Sequence, residues 1–458
     1  MRQWLYALPL LLFSFNLFAA ANPKVHEYHL DNGLKLIVKE DHRAPVVVSQ
    51  VWYKVGSSYE HDGITGISHA LEHMMFKGTR KHPAGEFSRI ISANGGRENA
   101  FTAQDYTAYF QQLEKSRLKV SFQLEADRMR NLTLPEKEFA KEIQVVMEER
   151  RLRTEDNPDA LSYEQFNAIA FINSTYHHPV IGWMDDLKNL KVDDLRKWYH
   201  MWYAPNNATV VVVGDVTPEK VYRLAKKYFG PLAPSKLAHL KPRKEILQRG
   251  LRRITVKAPA ELPYLVMGYK VPVLKTAPES WEPYALEVLT GILDGGESAR
   301  LATHLIRGSQ VAASASAGYD MGSRMEDLLL LSGTPAKGHT ITELENAFRK
   351  QIQQLRETPV STAELVRIKA QVVASNIYQR DSVFYQAMQI GTLESVGLDW
   401  RLLDEYVDRI RKITAAQVQA VARKYLTEDH LTIGTLKPLP IKNGKAHHPA
   451  GSSAHFVR

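Results

Sequence analysis

One short segment constrains the structure of this chain more than any other. Residues 64–79 read Ile-Thr-Gly-Ile-Ser-His-Ala-Leu-Glu-His-Met-Met-Phe-Lys-Gly-Thr, with two histidines four positions apart and a glutamate between them. An apolar stripe accompanies them at helical spacing, which predicts an amphipathic helix of about three turns. His69, Glu72 and His73 then lie on one face, because residues three or four positions apart are neighbours on a helix. The helix should bury one side and present a cluster of ligands on the other.

This cluster suits a divalent metal ion. Two neutral imidazoles at this spacing can both reach one Zn²⁺ at about 2.1 Å, and the carboxylate between them can accept a proton from metal-bound water. The pattern is His-Glu-x-x-His read backwards. The alternative is an ordinary solvated polar face. Thr65 as a cap and Gly78 as a terminator favour a buried amphipathic helix, and therefore the metal site.

A second helix is expected to supply a third ligand, because catalytic zinc keeps three protein ligands and one open position. Residues 135–150 predict this helix. At about 100° per residue, Glu149 lies at the edge of its apolar face, Glu142 lies one heptad earlier on the same side, and Glu148 points nearly the opposite way. Glu149 is the best third ligand and Glu142 a carboxylate that orients the site. On this reasoning alone, both could still be ordinary solvated charges.

The N-terminal residues differ from the rest of the chain. Residues 1–21 combine Arg2, a mostly apolar run and a final Ala-Ala-Ala, which predicts a signal peptide. An uncleaved anchor or a buried helix is the alternative. No later segment approaches about 18 uninterrupted apolar residues, so no membrane span is expected after cleavage. The chain has no cysteine, which excludes disulfides and thiolate metal sites. An exported chain of this kind fits the bacterial periplasm.

The net charge of +9 does not indicate a nucleic-acid partner. More than half of the excess lies in Arg2 and in the C-terminal tail, where Lys437, Lys442, Lys445 and Arg458 stand without an acidic residue. No basic stripe with interleaved aromatic residues appears elsewhere.

At 458 residues, the chain suits two domains. We predict a first domain at 22–230, a linker rich in Pro, Lys and Gly at 231–250, a second domain at 251–436 and a disordered basic tail at 437–458. Strands and helices mix without βαβ alternation, so each half is expected to be α+β with a largely antiparallel sheet. The halves are similar in size and element order but show no clear residue-level repeat.

Five stretches closely resemble the family of pitrilysin, insulysin and the mitochondrial processing peptidase. They are residues 66–79, Asn-Gly-Gly-Arg-Glu-Asn-Ala-Phe-Thr at 94–102, Glu-Ile-Gln-Val-Val-Met-Glu-Glu at 142–149, Trp-Tyr-Ala-Pro-Asn-Asn at 202–207 and Gly-Gly-Glu-Ser-Ala-Arg-Leu at 295–301. The resemblance implies one zinc ion per chain, bound by His69, His73 and Glu149. It also implies that Glu72 is the catalytic base and that Glu142 is a supporting carboxylate.

The resemblance also implies a fold and a way of binding substrate. It implies two homologous α/β-roll domains that face each other as a clamshell and close around an extended peptide. Asn99 and Ala100 would lie on an edge strand and hold substrate by strand addition. The remaining histidines match no motif. We expect His177 and His178 in a surface loop, and His447, His448 and His455 in the tail.

Hydrolysis of peptides or unfolded polypeptides is the function that these residues favour. A catalytically silent assembly subunit of the same fold is the first alternative, but such a subunit would be expected to have lost some of the five site residues. A zinc carrier is a further alternative, and it would not need Glu72.

One departure from the family bears on partners. Active members usually carry an Arg and, seven residues later, a Tyr in the second domain, and these bind the substrate carbonyl. Here the matching positions hold Ile306 and Ala313, Arg307 is one residue out of register, and the next tyrosine is Tyr319. We therefore predict the zinc-bearing half of a heterodimer, whose homologous zinc-free partner supplies both donors. A self-sufficient or homodimeric peptidase is the alternative.

Overall fold

The computed structural model describes residues 24–238, 240–241 and 243–441. The predicted signal peptide and the tail beyond residue 441, with its three histidines, lie outside the described residues. Among the helices described, none is long and apolar enough to cross a membrane.

The first half contains a six-stranded sheet. Its strands are β1 (Val25–His29), β2 (Lys35–Glu40), β3 (Val46–Tyr53), β4 (Arg97–Thr102), β5 (Thr107–Glu114) and β6 (Ala208–Gly214). They lie in the order β1-β2-β6-β3-β5-β4, and all neighbours are antiparallel except β2 and β6. Because β4 pairs only with β5, it forms one edge of the sheet.

The described residues of the first half form eight α-helices. They are α1 (Ile67–Met74), α2 (Glu86–Ala93), α3 (Leu118–Asn131), α4 (Glu136–Arg150), α5 (Pro158–Ala170), α6 (Met184–Asn189), α7 (Val192–Trp202) and α8 (Pro218–Tyr228). The apolar sides of α1, α3, α4 and α7 join one face of the sheet in the largest hydrophobic core of the protein.

The second half repeats this arrangement. Its strands are β7 (Arg252–Pro259), β8 (Tyr264–Val271), β9 (Ala312–Gly318), β10 (Asp327–Pro335) and β11 (Leu431–Leu439). Its helices are α9 (Glu282–Asp294), α10 (Ile341–Glu357), α11 (Thr362–Gln379), α12 (Val383–Ser395), α13 (Leu402–Lys412) and α14 (Ala415–Tyr425). The strand order is β7-β11-β8-β10-β9, which matches β2-β6-β3-β5-β4 of the first sheet, so the parallel pair β7 and β11 corresponds to β2 and β6.

The predicted α+β class with two similar, largely antiparallel domains is confirmed. One predicted boundary was wrong, because the tail was expected to begin at residue 437. β11 continues to Leu439, since Lys437, Pro438 and Leu439 pair with residues 257–259 of β7. Residues 231–250, the predicted linker, form no helix or strand at the positions described there.

The two halves exchange helices. α5, which belongs to the first half, packs against β11 and β7 of the second sheet. α12, which belongs to the second half, packs against β6 and β3 of the first. Gly391 of α12 lies so close to the indole of Trp52 that a Cβ atom there would be 2.0 Å from the ring. Each sheet is therefore covered on one face by its own helices and on the other by a helix from the opposite half.

Candidate metal centre

The histidine-bearing helix α1 begins at Gly66, whose φ of +84° lies in the left-handed region that favours glycine. A Cβ there would approach the carbonyl oxygen of Ile181 to 2.5 Å. The buried Glu60 carboxylate accepts the amide protons of Gly66 and Ser68 at 2.7 and 2.8 Å. Burial raises the pKa of Glu60 to about 7, although these two hydrogen bonds oppose the rise. Glu60 therefore caps α1 and fixes its start.

Thr65, the predicted cap, has a different role. Its hydroxyl donates to Asp186 Oδ2 of α6 at 2.5 Å and accepts the Trp183 amide at 2.9 Å. The capping prediction was wrong, because this side chain is turned toward α6 rather than along α1. At the other end, α1 stops at Met74, and Gly78 follows with a φ of +101°.

α1 packs against α4, and the contact brings three predicted ligands together. His69 Nε2 lies 3.8 Å from Glu149 Oε1, and His73 Nε2 lies 3.4 Å from Glu149 Oε2. The two imidazole rings have centroids 4.8 Å apart. The three side chains are 12%, 21% and 17% exposed for His69, His73 and Glu149. The cluster is therefore largely enclosed but keeps an opening to solvent.

These residues fit a zinc ion. Ligands about 2.0–2.2 Å from a tetrahedral zinc ion lie about 3.3–3.6 Å from one another, close to the two separations observed. Two imidazole nitrogens and one carboxylate oxygen are the donor set of many catalytic zinc sites. The solvent-facing side leaves room for the open position that such a site needs.

The protonation states of His69 and Glu149 also suit a metal. Burial and the neighbouring His73 lower the pKa of His69 to about 4, so this ring is neutral at pH 7. Burial alone would lower the pKa of His73, but contact with the Glu149 carboxylate outweighs it and raises that pKa. The same contact lowers the pKa of Glu149. The cluster thus offers a neutral imidazole and an ionised carboxylate at neutral pH, the forms that bind metal.

Glu142 lies behind the cluster, as predicted from the heptad spacing. Its Oε2 is 3.4 Å from His73 Nδ1, and its Oε1 is 2.6 Å from Lys77 Nζ. A carboxylate on the far nitrogen of a metal-binding histidine fixes the ring orientation and tautomer. Glu142 is placed to orient His73, and Lys77 keeps Glu142 in position.

Glu72 lies between the histidines and is itself mostly buried. The hydroxyl of Thr102, the last residue of β4, donates to Glu72 Oε2 at 2.5 Å. Burial raises the pKa of Glu72, and the Thr102 hydrogen bond and the nearby His73 partly counter the rise. A carboxylate with a raised pKa is a better proton acceptor, which suits a general base.

The strand that supplies Thr102 is the free edge of the first sheet. Asn99 and Ala100 lie in β4, opposite Phe110 and Tyr109 of β5. The Ala100 amide donates to Asn99 Oδ1 at 2.9 Å. The predicted edge position is therefore present, and it runs directly into the residue that holds Glu72. Strand addition by a substrate here stays a prediction.

Three contacts of the site were not predicted from the sequence. Thr102 comes from a distant strand, and no local pattern joins it to Glu72. Lys77 and Arg153 could have been found, because each lies four positions after a ligand, His73 or Glu149. Arg153 Nη1 lies 2.7 Å from Glu149 Oε1, and its side chain is largely exposed.

Comparison with known sequences identifies the family of this chain. Residues 35–182 match the model described as Insulinase (Peptidase family M16), and residues 189–372 match Peptidase M16 inactive domain. The zinc protease PqqE of Helicobacter pylori is 33% identical over 91% of this chain and 93% of its own length. The chain belongs to peptidase family M16. An uncharacterised zinc protease of Bacillus subtilis, YmxG, is 28% identical over 89% of this chain and 97% of its own.

Solved structures agree with the M16 assignment. A protease from Helicobacter pylori superposes with a TM-score of 0.86 at 32% identity, covering 91% of this chain and all of that one. The periplasmic protease PqqL of Escherichia coli shares the fold, with a TM-score of 0.78 at 19% identity. There the match covers 91% of this chain but 48% of the other, so this M16 chain corresponds to about half of that protein.

The second half of this M16 chain does not place a donor at the two positions singled out in the sequence. Ile306 packs against the core of the second half, and Ala313 is exposed on the edge strand β9. Arg307 is paired with Glu297. The Tyr319 hydroxyl donates to the Pro272 carbonyl at 2.6 Å. Both neighbouring candidates, Arg307 and Tyr319, therefore already have a partner within the chain.

The dipeptide His177-His178 lies in a loop, as predicted, but not on the surface. His178 is only 2% exposed, and His177 is half-buried. The expectation of a surface loop was wrong, because the segment is packed between the loop before α1 and the second half of the molecule.

Proposed function

We propose that this chain is an exported zinc endopeptidase that hydrolyses peptides or unfolded polypeptides. The observation that carries the proposal is the convergence of His69, His73 and Glu149 around an opening, with the buried Glu72 between the histidines. The names of the related zinc proteases support the choice of metal. A zinc carrier would have no use for a buried carboxylate held by Thr102.

Each residue has a role in this mechanism. Zinc supplies a Lewis acid that polarises the scissile carbonyl and acidifies water. Glu72 accepts a proton from the attacking water and passes it to the leaving amine. Glu142 keeps His73 in one orientation. The free edge of β4 aligns an extended substrate beside Glu72 through main-chain hydrogen bonds, which favours unfolded polypeptides over folded proteins.

The catalytic assembly is proposed to be a heterodimer. α1 packs mainly against α4, α7 and β4, all from the first half of this chain. Ile306 and Ala313 cannot donate side-chain hydrogen bonds to a substrate carbonyl. A homologous zinc-free partner with an Arg and a Tyr would enclose the site and supply both. PqqL, whose length is about twice that of the match, is a precedent for two such halves in one protein.

The decisive experiment starts from the purified mature chain loaded with zinc. It is assayed on unfolded peptides alone, with a candidate zinc-free partner, and with an unrelated protein as control. We expect weak cleavage alone and at least about a hundredfold gain with the partner, because loss of one oxyanion donor costs that much. Full activity alone, unchanged by the partner, would leave a self-sufficient or homodimeric peptidase. No cleavage in any arm, with full zinc, would favour the silent subunit.

Export to the periplasm is proposed from residues 1–21. The test is N-terminal sequencing of the protein recovered from a periplasmic fraction. A mature terminus at Asn22 is expected, and a protein that keeps Met1 would contradict export by cleavage.

A further inference from the structure

A second cluster of metal-binding side chains lies apart from the catalytic site. Asp62 comes from the loop between β3 and α1, and His177 and His178 come from the loop between α5 and α6. His178 Nε2 lies 3.0 Å from Asp62 Oδ1, and the two imidazole rings have centroids 4.3 Å apart. One ligand atom from each residue lies within 4.8 Å of the other two. Two segments distant in sequence therefore converge on one point.

The histidine loop is held rigidly. The Glu245 carboxylate accepts the backbone amides of residues 172, 173 and 174 at 2.9–3.0 Å. The same carboxylate pairs with Lys270 Nζ of β8 at 2.9 Å. The hydroxyl of Tyr176, the residue before His177, donates to Asp105. The histidines therefore do not need to be ordered when a ligand binds, which lowers the entropic cost of binding.

The Asp62 loop is fixed from the other side. Asp186 of α6 accepts the amides of Gly63 and Thr65 at 3.3 and 3.1 Å, immediately after Asp62. The Asp62 side chain itself is 91% exposed. The backbone of this ligand is therefore positioned, and its carboxylate keeps a solvent-facing side where water can complete a coordination sphere.

The imidazoles have unused nitrogens. Among the described residues, neither His177 Nδ1 nor His178 Nδ1 has a hydrogen-bond partner, although both atoms are buried. The one side-chain hydrogen bond recorded for the His178 ring joins its Nε2 to Asp62. An ion that also binds Asp62 would be held by His178 through Nε2, the nitrogen that faces that carboxylate.

We propose that Asp62, His177 and His178 bind a second divalent transition-metal ion. Two imidazoles and one carboxylate suit Zn²⁺, Ni²⁺ or Cu²⁺ and not Mg²⁺ or Ca²⁺, which prefer oxygen ligands. The ion stabilises the fold, because it links the loop that leads into α1 to the loop that follows α5. With one exposed ligand, the site binds zinc more weakly than the centre on α1 and α4.

The test measures zinc stoichiometry and affinity by equilibrium dialysis with metal analysis of the mature full-length chain. Asp62→Ala and His177→Ala are the test variants, because Asp62 is exposed and His177 only half-buried, so both should fold. His61→Ala is the matched control, since His61 is exposed, adjacent to Asp62 and outside the cluster. His73→Ala reports on the catalytic centre in parallel.

The wild type and His61→Ala are expected to bind two zinc ions per chain with unequal affinities. Asp62→Ala and His177→Ala should lose at least about tenfold in affinity for the weaker ion and keep the tighter one. His73→Ala should do the reverse. Added zinc should raise the melting temperature of His73→Ala but not of the Asp62→Ala/His73→Ala double variant.

A single zinc ion in the wild type, unaffected by Asp62→Ala and His177→Ala, would overturn the second site and leave the proposed function intact. A weak second ion with unchanged affinity in both variants would also overturn it. Zinc retained at full stoichiometry by His73→Ala would instead contradict the catalytic centre.

Discussion

The two halves of this molecule use one scaffold for different purposes. In the first, α1 packs against α4; in the second, α9 packs against α11. Ala-Leu-Glu occurs in both first helices, at 70–72 and 285–287, and Gln-Val-Val in both second helices, at 144–146 and 371–373. The leucine of each Ala-Leu-Glu is fully buried, which supports this register.

The proposed metal ligands are among the positions where these helix pairs differ. In this register His69 corresponds to Tyr284 and His73 to Val288, both of which are buried in the core of the second half. Glu149 corresponds to Asn376, and Glu142 to Lys369. A few substitutions therefore separate a helix pair with the proposed zinc ligands from one that only packs. The duplicated scaffold does not depend on the metal for its architecture.

The largest effect is expected at Glu72, the proposed base. Glu72→Gln should lower peptide hydrolysis by about a hundredfold to ten-thousandfold and leave zinc in place, because an amide cannot accept the proton. The matched control is Glu287→Gln, the glutamate of the second Ala-Leu-Glu, which should keep the wild-type rate. Single-turnover assays with metal analysis measure both. Equal losses in the two variants would contradict the division of roles between the halves.

The second largest effect is expected at Glu149, the proposed third ligand. Glu149→Gln should weaken zinc binding by well over tenfold, because it removes the carboxylate that faces His73. Glu148→Gln should have little effect, since Glu148 is exposed and paired with Arg151. A competition titration with a chelator compares them. Equal affinities would contradict the assignment of the third ligand.

The exchanged helices can be compared by adding one methyl group to each contact. Gly391→Ala should lower the free energy of unfolding by about 3 kcal/mol or more, because the new Cβ meets the rigid, buried Trp52 ring. Gly434→Ala should cost about 1 kcal/mol, because its nearest neighbours, Val266 and Phe166, lie at 2.9–3.0 Å.

Gly318→Ala is the control for this pair, since nothing lies within 4 Å of a Cβ there. Urea denaturation ranks the three variants. A Gly391→Ala protein as stable as Gly318→Ala would contradict the tight contact between α12 and the first sheet.

The smallest effect concerns a buried acid of the second half. Burial raises the pKa of Asp327 to about 7, against hydrogen bonds from the Ser323 hydroxyl and the Leu328 amide. The folded state therefore holds a proton that the unfolded state releases near pH 4, so stability falls as pH rises from about 4 to about 7. Between pH 6 and pH 7 the loss should be about 1 kcal/mol.

Asp327→Asn should remove this contribution. Unfolding free energies of variant and wild type at pH 6 and pH 7 give the comparison. The same pH dependence in both proteins would contradict a protonated Asp327. In the first half, by contrast, the buried Glu125 carboxylate is neutralised by Arg128 at 2.6 Å.

The sequence predicted what depends on helical periodicity and turns. The spacing of His69, Glu72 and His73 predicted α1, and the heptad between Glu142 and Glu149 predicted which carboxylates of α4 face the histidines. These signals are local, because helical spacing decides which residues share a face.

What the sequence did not predict depends on long-range packing. The cap of α1 comes from Glu60, outside the usual capping position, and the Thr102 contact crosses from a strand. His178 is buried in a segment whose Tyr176 packs against the second half, which no local pattern records. The exchange of α5 and α12 was also missed, because amphipathicity shows that a helix face is buried but not which sheet covers it.

The reciprocal exchange of helices affects how the polypeptide folds during synthesis and how it responds to proteolytic cleavage. α5 is synthesised long before β11. The side chain of Phe166 on α5 therefore stays exposed to solvent and chaperones until the second sheet has formed. Neither half can complete its burial during synthesis. For the same reason, a proteolytic nick between residues 231 and 250 would not release two independent domains. The fragments would remain associated, because a helix of each one buries one face of the other's sheet.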